Sequence, residues 1–202
     1  MEPNPLFDSP GWRSRGYIPH FDQPGLIQSI TIRLHDAVPE SLIAKWKSEL
    51  SWMEKMPSSD PRRTALRKFI DTYEDAGYGA CWLKDDRIAE MVEMSLLRFD
   101  DERYRLLAWC VMPNHVHSII ETWEGFPLYK VLHSWKSFTS HQANKLLGRS
   151  GKFWFPEYHD RYIRDEAHYA AAVDYVENNP VKAKLIRSKE FWKWSSARLQ
   201  ST

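Results

Sequence analysis

Two apolar segments separated by a three-residue turn constrain the fold of this chain more than any other feature. The segments are "RYRLLAWCV" and "HVHSIIE", and Met112, Pro113 and Asn114 lie between them. Proline at the second position and asparagine at the third are typical of a tight turn. Because so short a connection joins strands that run in opposite directions, the sequence predicts an antiparallel hairpin.

A further strand and several helices accompany this hairpin. In "SITIRLHD", Ile30, Ile32 and Leu34 alternate with polar residues, which is the period of a half-buried strand. Apolar residues at three-and-four spacing predict helices elsewhere. These helices cover "ESLIAKWKSELSWMEKM", "DPRRTALRKFIDTYEDAG", "DDRIAEMVEMSLLRF", residues 126–147 and residues 165–178. Helices between antiparallel strands predict an α+β fold.

Length and composition predict one globular domain. The 202 residues contain no repeat and no flexible linker, and 43% of them are hydrophobic. No apolar run approaches the roughly 20 residues that cross a bilayer, and the N-terminus lacks a secretory h-region. We therefore expect a cytoplasmic protein without a membrane partner. Cys81 and Cys110 lack CxxC spacing, which argues against a disulfide framework or a thiolate zinc site.

The charges are distributed unevenly along the chain. A formal net charge of +1 gives no direct indication of a nucleic-acid partner. Between residues 85 and 103 acidic residues outnumber basic ones seven to three, and between residues 130 and 165 the ratio is reversed. A basic region therefore follows the predicted hairpin, although a run of this kind can also be a solvated helix face.

His115 and His117 stand one residue apart on the second strand of the hairpin. Residues i and i+2 of a strand point to the same face, so both imidazoles can reach one ion, while Val116 points into the core. Two imidazoles make an incomplete metal site, and a third ligand is then expected from elsewhere in the chain. By itself, the pattern is more typical of a hydrogen-bonded or half-exposed histidine pair.

The histidine strand and the segments after it resemble the REP-associated tyrosine transposases. The resemblance runs from about Gly11 to Ala197 and rests on the order of "AWCVMPNHVHSII", "LHSWKSFTSHQANKLLG", "FWFPEYHDRYIRDEAHY", "YVENNPVKAKLI" and "WKWSSA". These proteins are single-tyrosine transposases with a His-hydrophobic-His (HUH) motif. The resemblance implies a ferredoxin-like antiparallel sheet with helices packed mainly on one face. It also implies one transposase domain over residues 1–202, with an arm (1–25), a catalytic core (26–187) and a tail (188–202).

The same resemblance implies the residues of an active site. The family pattern places a nucleophile in a helix as Tyr-x-x-x-Gln or Tyr-x-x-x-Asn. Four tyrosines lie in the right region, namely Tyr158, Tyr162, Tyr169 and Tyr175. Only Tyr175, in "YVENN", fits the pattern, and Tyr158 is its main rival. The expected ligands of Mg²⁺ or Mn²⁺ are His115, His117 and Asn179.

Single-stranded hairpin DNA is the implied partner, and cations with interleaved aromatic rings are its expected contacts. The candidates are Arg13, Arg15, Lys136, Arg161 and Arg164. The first two lie in "GWRSRGY", for which a disordered tail is the alternative. Arg164 can instead pair with Asp165 or Glu166, and Asp165 can cap the helix of Tyr175. His159 is a candidate accessory base.

The implied function is DNA transposition by a metal-dependent endonuclease and strand transferase. Such an enzyme nicks palindromic hairpin DNA through a 5′-phosphotyrosine, which suits a phenol because the retained bond energy allows rejoining. The alternatives are a domesticated hairpin-DNA binder with little or no activity and a metallohydrolase unrelated to DNA. For the latter, Glu121 is the only close additional carboxylate. Monomer and homodimer both remain open.

Overall fold

The computed structural model describes residues 12–14, 19–39, 42, 72–73 and 76–200. The two helices predicted between residues 40 and 77 lie almost entirely outside these residues, and so does Arg15. The element labels below number the described strands and helices in chain order.

A four-stranded antiparallel sheet forms the centre of the molecule, with the strand order β4-β5-β3-β6. Its strands are β3 (Ile27–Arg33), β4 (Tyr104–Val111), β5 (His115–Thr122) and β6 (His159–Tyr162). A separate antiparallel pair consists of β1 (Trp12–Ser14) and β2 (Pro19–Phe21). The predicted hairpin is β4 and β5, and its turn is closed where the N–H of Met112 donates to the carbonyl of His115 at 2.9 Å.

Four α-helices whose bounds are described accompany the sheet, with short 3-10 helices at Trp82–Lys84, Lys189–Phe191 and Ser196–Gln200. The α-helices are α1 (Asp86–Leu97), α2 (Leu128–Leu146), α3 (Glu166–Glu177) and the single turn α4 (Asn179–Lys182). The predicted N-cap of α3 is confirmed, because the Asp165 carboxylate accepts from the N–H of His168 at 2.7 Å. Among the described residues, no helix is both long enough and apolar enough to span a membrane.

The helices cover the two faces of the sheet differently. On one face, Ile30, Ile32, Val116 and Ile120 belong to the main core, which α1 and α2 complete. On the other face, a smaller cluster that includes Ile119 packs against α3. The α+β class with an antiparallel sheet is thereby confirmed, and the longest described helix, α2, lies with α1 on one face.

The segment that follows α4 runs along the outer edge of β4. The N–H of Val111 donates to the carbonyl of Trp194 at 2.8 Å, and the indole of Trp192 donates back to Val111 at 3.0 Å. Arg198 binds the buried carboxylate of Glu93 on α1 at 2.5 and 2.9 Å. This segment provides hydrogen-bond partners for the backbone at the outer edge of β4, and through Arg198 it also contacts α1.

Candidate active site

The two histidines of β5 lie on the sheet face that carries α3. His115 is fully buried and His117 is 3% exposed. Their Nε2 atoms are 3.0 Å apart, and their ring planes are inclined at 78°. The strand therefore brings both imidazoles to one point, as the i, i+2 spacing predicts.

The opposite ring nitrogens of these histidines are held by neighbouring polar groups. Asn114 donates from Nδ2 to the carbonyl of Tyr78 at 3.0 Å, which leaves its Oδ1 to accept from Nδ1 of His115 at 2.8 Å. Thr31 lies directly opposite His117 on β3, and its hydroxyl is 2.9 Å from Nδ1 of His117. The hydroxyl oxygen can accept a hydrogen bond from an Nδ1–H group at this distance. With Nδ1 as the protonated nitrogen of each ring, both Nε2 lone pairs would be directed at the same point between the rings, where a cation could accept them.

Burial keeps both imidazoles neutral. It lowers the pKa of His115 well below the ordinary value, and the charges of His117 and Arg33 act in the same direction. It lowers the pKa of His117 to about 3, with the positive charge of Lys182 as the second cause. Metal binding requires neutral imidazole, so these rings need not lose a proton to become ligands at neutral pH.

Asn179, the first residue of α4, completes the group. Its side chain is fully buried, with Nδ2 at 3.1 Å from Nε2 of His117, and its hydrogen bonding also opposes the lowering of the pKa of His115. The Oδ1 atom is buried and has no hydrogen-bond partner within the described part of the chain. A buried oxygen in this state is costly, and two imidazole nitrogens with an amide oxygen form a donor set that fits a divalent cation.

Carboxylates do not take part in this donor set. The described residues contain no group of three or more His, Cys, Asp or Glu side chains that could hold a metal ion. Glu121 pairs with Arg105 at 2.6 Å. The carboxylate that a metallohydrolase would need beside the histidines is therefore engaged elsewhere.

Tyr175 lies in the last turn of α3, beside the histidines. The centroid of its half-buried ring is 5.4 Å from that of His117, with the ring planes inclined at 77°. Its rival Tyr158 is 7% exposed and belongs to the main core. That core covers the sheet face opposite to α3, so packing accounts for Tyr158.

The candidate DNA contacts differ in position. Arg161 on β6 and Arg164 before α3 are exposed, and both charges lower the pKa of the nearby His168 after the larger effect of burial. Lys136 donates from its ammonium to the carbonyls of Phe155 and Pro156 at 2.6 and 2.7 Å. Arg13 lies on β1, opposite His20. The accessory-base candidate His159 lies on β6, opposite Thr31.

Three residues near the histidines were not expected from the sequence. The turn explains Asn114 without any role at the histidines, and no motif in the sequence singles out Thr31. Lys182 has its Nζ 4.2 Å from the centroid of the Tyr175 ring. Its spacing of three residues from Asn179 on a helical turn is the one local signal that could have indicated it.

Comparisons with known proteins show what this chain is similar to. Residues 81–179 match the family model described as "Transposase IS200 like". The chain is 26% identical over 108 residues to the REP-associated tyrosine transposase of Escherichia coli (strain K12). This alignment covers 53% of this chain and 63% of that protein. It is also 23% identical over 103 residues to a Haemophilus influenzae relative of the same type, and this alignment covers 46% of this chain and 58% of that protein. The matches thus span less than two thirds of either relative.

One solved structure has a comparable fold. It is the structure of a REP-associated tyrosine transposase bound to a REP hairpin, with a TM-score of 0.54 and 18% identity over 93% of this chain and 82% of that chain. At this identity the likeness establishes a shared fold. Together with the family match, it confirms the resemblance that the sequence indicates.

Proposed function

We propose that this chain, which resembles the REP-associated tyrosine transposases, nicks and rejoins single-stranded palindromic hairpin DNA through a phosphotyrosine at Tyr175. The observation that carries the proposal is the meeting of four groups from two distant segments. His115 and His117 come from β5, and Tyr175 and Asn179 come from the region where α3 ends and α4 begins. A nucleophile beside a neutral histidine pair and a buried amide oxygen is suited to phosphoryl transfer.

The chemistry at Tyr175 follows from its phenol. An unperturbed phenol has a pKa of about 10 and must lose its proton to attack. The Oη–P bond forms while the bond from phosphorus to the 3′ oxygen breaks, and a proton restores the 3′-OH. Because the phosphodiester energy remains in the 5′-phosphotyrosine, another 3′-OH can attack it and restore a DNA strand without ATP.

His115, His117 and Asn179 would hold a divalent cation, Mg²⁺ or Mn²⁺. The fit rests on the two neutral imidazoles with fixed Nδ1 partners and on the buried Oδ1 of Asn179. When bound, such a cation supplies Lewis-acid neutralisation of the charge that develops on the scissile phosphate. The protein itself keeps the imidazoles neutral, orients them and places the phenol next to them.

The proposed substrate is a folded palindromic strand, and the cations of this chain are its proposed contacts. The solved relative is bound to a REP hairpin, and a related hairpin is the first substrate to test here. Arg161 and Arg164 are exposed, and Arg13 and Arg15 would act from the N-terminal arm. Lys136 is less available than Arg161 and Arg164, because its ammonium already donates to two carbonyls. We expect this activity in the cytoplasm.

Covalent capture tests the proposal directly. Single strands that contain palindromes from the flanks of the gene, labelled at the 3′ end, are incubated with the protein in Mg²⁺ or Mn²⁺ and separated on denaturing gels. We expect a labelled protein adduct that Tyr175→Phe abolishes, because phenylalanine keeps the ring and lacks the oxygen.

Tyr158→Phe is the matched control and should still form the adduct. An adduct that persists in Tyr175→Phe would contradict the assignment of the nucleophile. Tight hairpin binding without an adduct in either metal would instead favour a domesticated DNA-binding protein.

A further inference from the structure

Lys182 presents a positive charge directly beside the proposed nucleophile. It is the last residue of α4, three residues after Asn179, and its side chain is exposed. Its Nζ lies 4.2 Å from the centroid of the Tyr175 ring. Among the described residues, no carboxylate pairs with this ammonium, whereas the neighbouring Lys189 binds Glu177 at 2.8 Å.

The position of this charge matches the proposed reaction. A phosphate that Tyr175 attacks must lie next to the phenol, and the ammonium of Lys182 is already at the face of that ring. A cation at such a place favours an anionic ligand there.

We propose that Lys182 is a catalytic residue whose ammonium binds a non-bridging oxygen of the scissile phosphate while Tyr175 attacks. This inference rests on the function proposed above and adds a protein cation to it. The lysine stays protonated throughout and exchanges no proton, since the Oη–P bond forms and the bond to the 3′ oxygen breaks as before. Its contribution is electrostatic and grows as negative charge accumulates on the phosphoryl oxygens.

The geometry allows both this role and simple packing. An ammonium over an aromatic face makes a cation–π contact, which is weak at an exposed position. The lysine stem is flexible, so the head group can leave the ring face for an oxygen bonded to Oη. A packing role would depend on the stem and the ring, whereas a phosphate-binding role depends on the charge of the substrate. This difference can be measured.

The test compares Lys182→Met and Lys182→Arg with Lys184→Met, a matched change at an exposed lysine two residues away. The rate of adduct formation is measured in Mn²⁺ with protein in saturating excess over the hairpin strand, and hairpin affinity is measured separately by fluorescence anisotropy. We expect Lys182→Met to slow adduct formation about 10²-fold and to change hairpin affinity far less. Lys182→Arg should recover a large part of the rate, and Lys184→Met should match the wild type.

A second substrate separates charge from packing. In a strand with a methylphosphonate at the scissile position, one non-bridging oxygen is replaced by a methyl group and the negative charge is absent. On this strand, Lys182→Met should slow adduct formation only a few-fold relative to the wild type. The proposal would be overturned if Lys182→Met slowed adduct formation equally on both strands. A wild-type rate for Lys182→Met on the natural strand would also overturn it.

The two proposals fail in different ways. If the wild-type protein forms no adduct on the natural hairpin, the proposed function fails and the role of Lys182 fails with it. If the wild type forms the adduct and Lys182→Met forms it equally fast, only the role of Lys182 is wrong.

Discussion

At the scale of single residues, the histidine pair depends on groups that are not themselves candidate ligands. Asn114 is fixed at one end by the carbonyl of Tyr78 and binds Nδ1 of His115 at the other. Thr31 provides the equivalent contact to His117. Two Nε2 lone pairs at 3.0 Å repel each other unless a proton or a cation lies between them. The Nδ1 contacts therefore select the ring orientations and tautomers that a cation would stabilise.

Removal of these contacts should weaken the binding of Mn²⁺. We expect Asn114→Leu and Thr31→Val each to raise the dissociation constant for Mn²⁺ roughly 10- to 100-fold, because each frees an imidazole to rotate or to change tautomer. Asn114→Asp keeps an acceptor oxygen, so its dissociation constant for Mn²⁺ should rise less than that of Asn114→Leu. Titration calorimetry of the metal-free protein measures the effect without any DNA.

Thr122→Val is a matched control on the same strand as the histidines. The hydroxyl of Thr122 is buried and makes no hydrogen bond within the described part of the chain, so its removal should leave the Mn²⁺ affinity unchanged. Wild-type affinity in both Asn114→Leu and Thr31→Val would show that the Nδ1 contacts do not orient the ligands.

At the scale of elements, the junction of α3 and α4 places both Tyr175 and Asn179. Glu177 lies between them in the chain and is buried, with one carboxylate oxygen bound by Lys189 at 2.8 Å and the other by the hydroxyl of Ser196 at 3.0 Å. The backbone of β4 also contacts Ser196, whose hydroxyl accepts from the N–H of Trp109 at 3.1 Å. The segment after α4 thus connects the edge of the sheet to the helix end that carries the proposed nucleophile.

This connection predicts a measurable loss of stability. Lys189→Met leaves the buried Glu177 carboxylate without its cation, and we expect the free energy of unfolding to fall by about 1.5–3 kcal/mol. Urea denaturation followed by tryptophan fluorescence measures the change. Lys193→Met removes a lysine whose pair with Asp86 is exposed on both sides, and it should have no measurable effect. Equal stability of the two variants would argue against a structural role for the Glu177 pair.

At the scale of the whole molecule, folding encloses two imidazoles that remain neutral. An unfolded histidine has a pKa of about 6.5, whereas burial lowers the pKa of His117 to about 3 and that of His115 in the same direction. Below pH 6.5 the unfolded chain therefore binds more protons than the folded chain. By linkage, the stability of the metal-free protein falls as the pH decreases from about 6.5 towards the lower folded pKa values.

The size of this dependence can be measured by urea unfolding in a chelating buffer. Between pH 7.5 and pH 5, His117 alone should account for about 2 kcal/mol of lost stability. His117→Gln should reduce the pH dependence by that amount. A wild-type stability that does not change over this range would contradict the burial of neutral imidazoles.

The sequence by itself determined the features that depend on neighbours along the chain. The connection at Pro113 required an antiparallel hairpin, the i, i+2 spacing put His115 and His117 on one face, and Asp165 marked the start of α3. These follow from backbone geometry and from local hydrogen bonding, which act within a few residues. The pairing of Tyr175 with the histidines came instead from a family resemblance, because no local rule connects residues about 60 positions apart.

Only the tertiary structure decided which groups meet at the histidine pair. The register of β3 against β5 places Thr31 opposite His117, and the packing of α3 on that face of the sheet brings in Asn179 and Lys182. It also separated Tyr158, buried in the opposite core, from Tyr175. Each of these contacts depends on strand register and on packing between segments that are far apart in the sequence, so no local pattern specifies it.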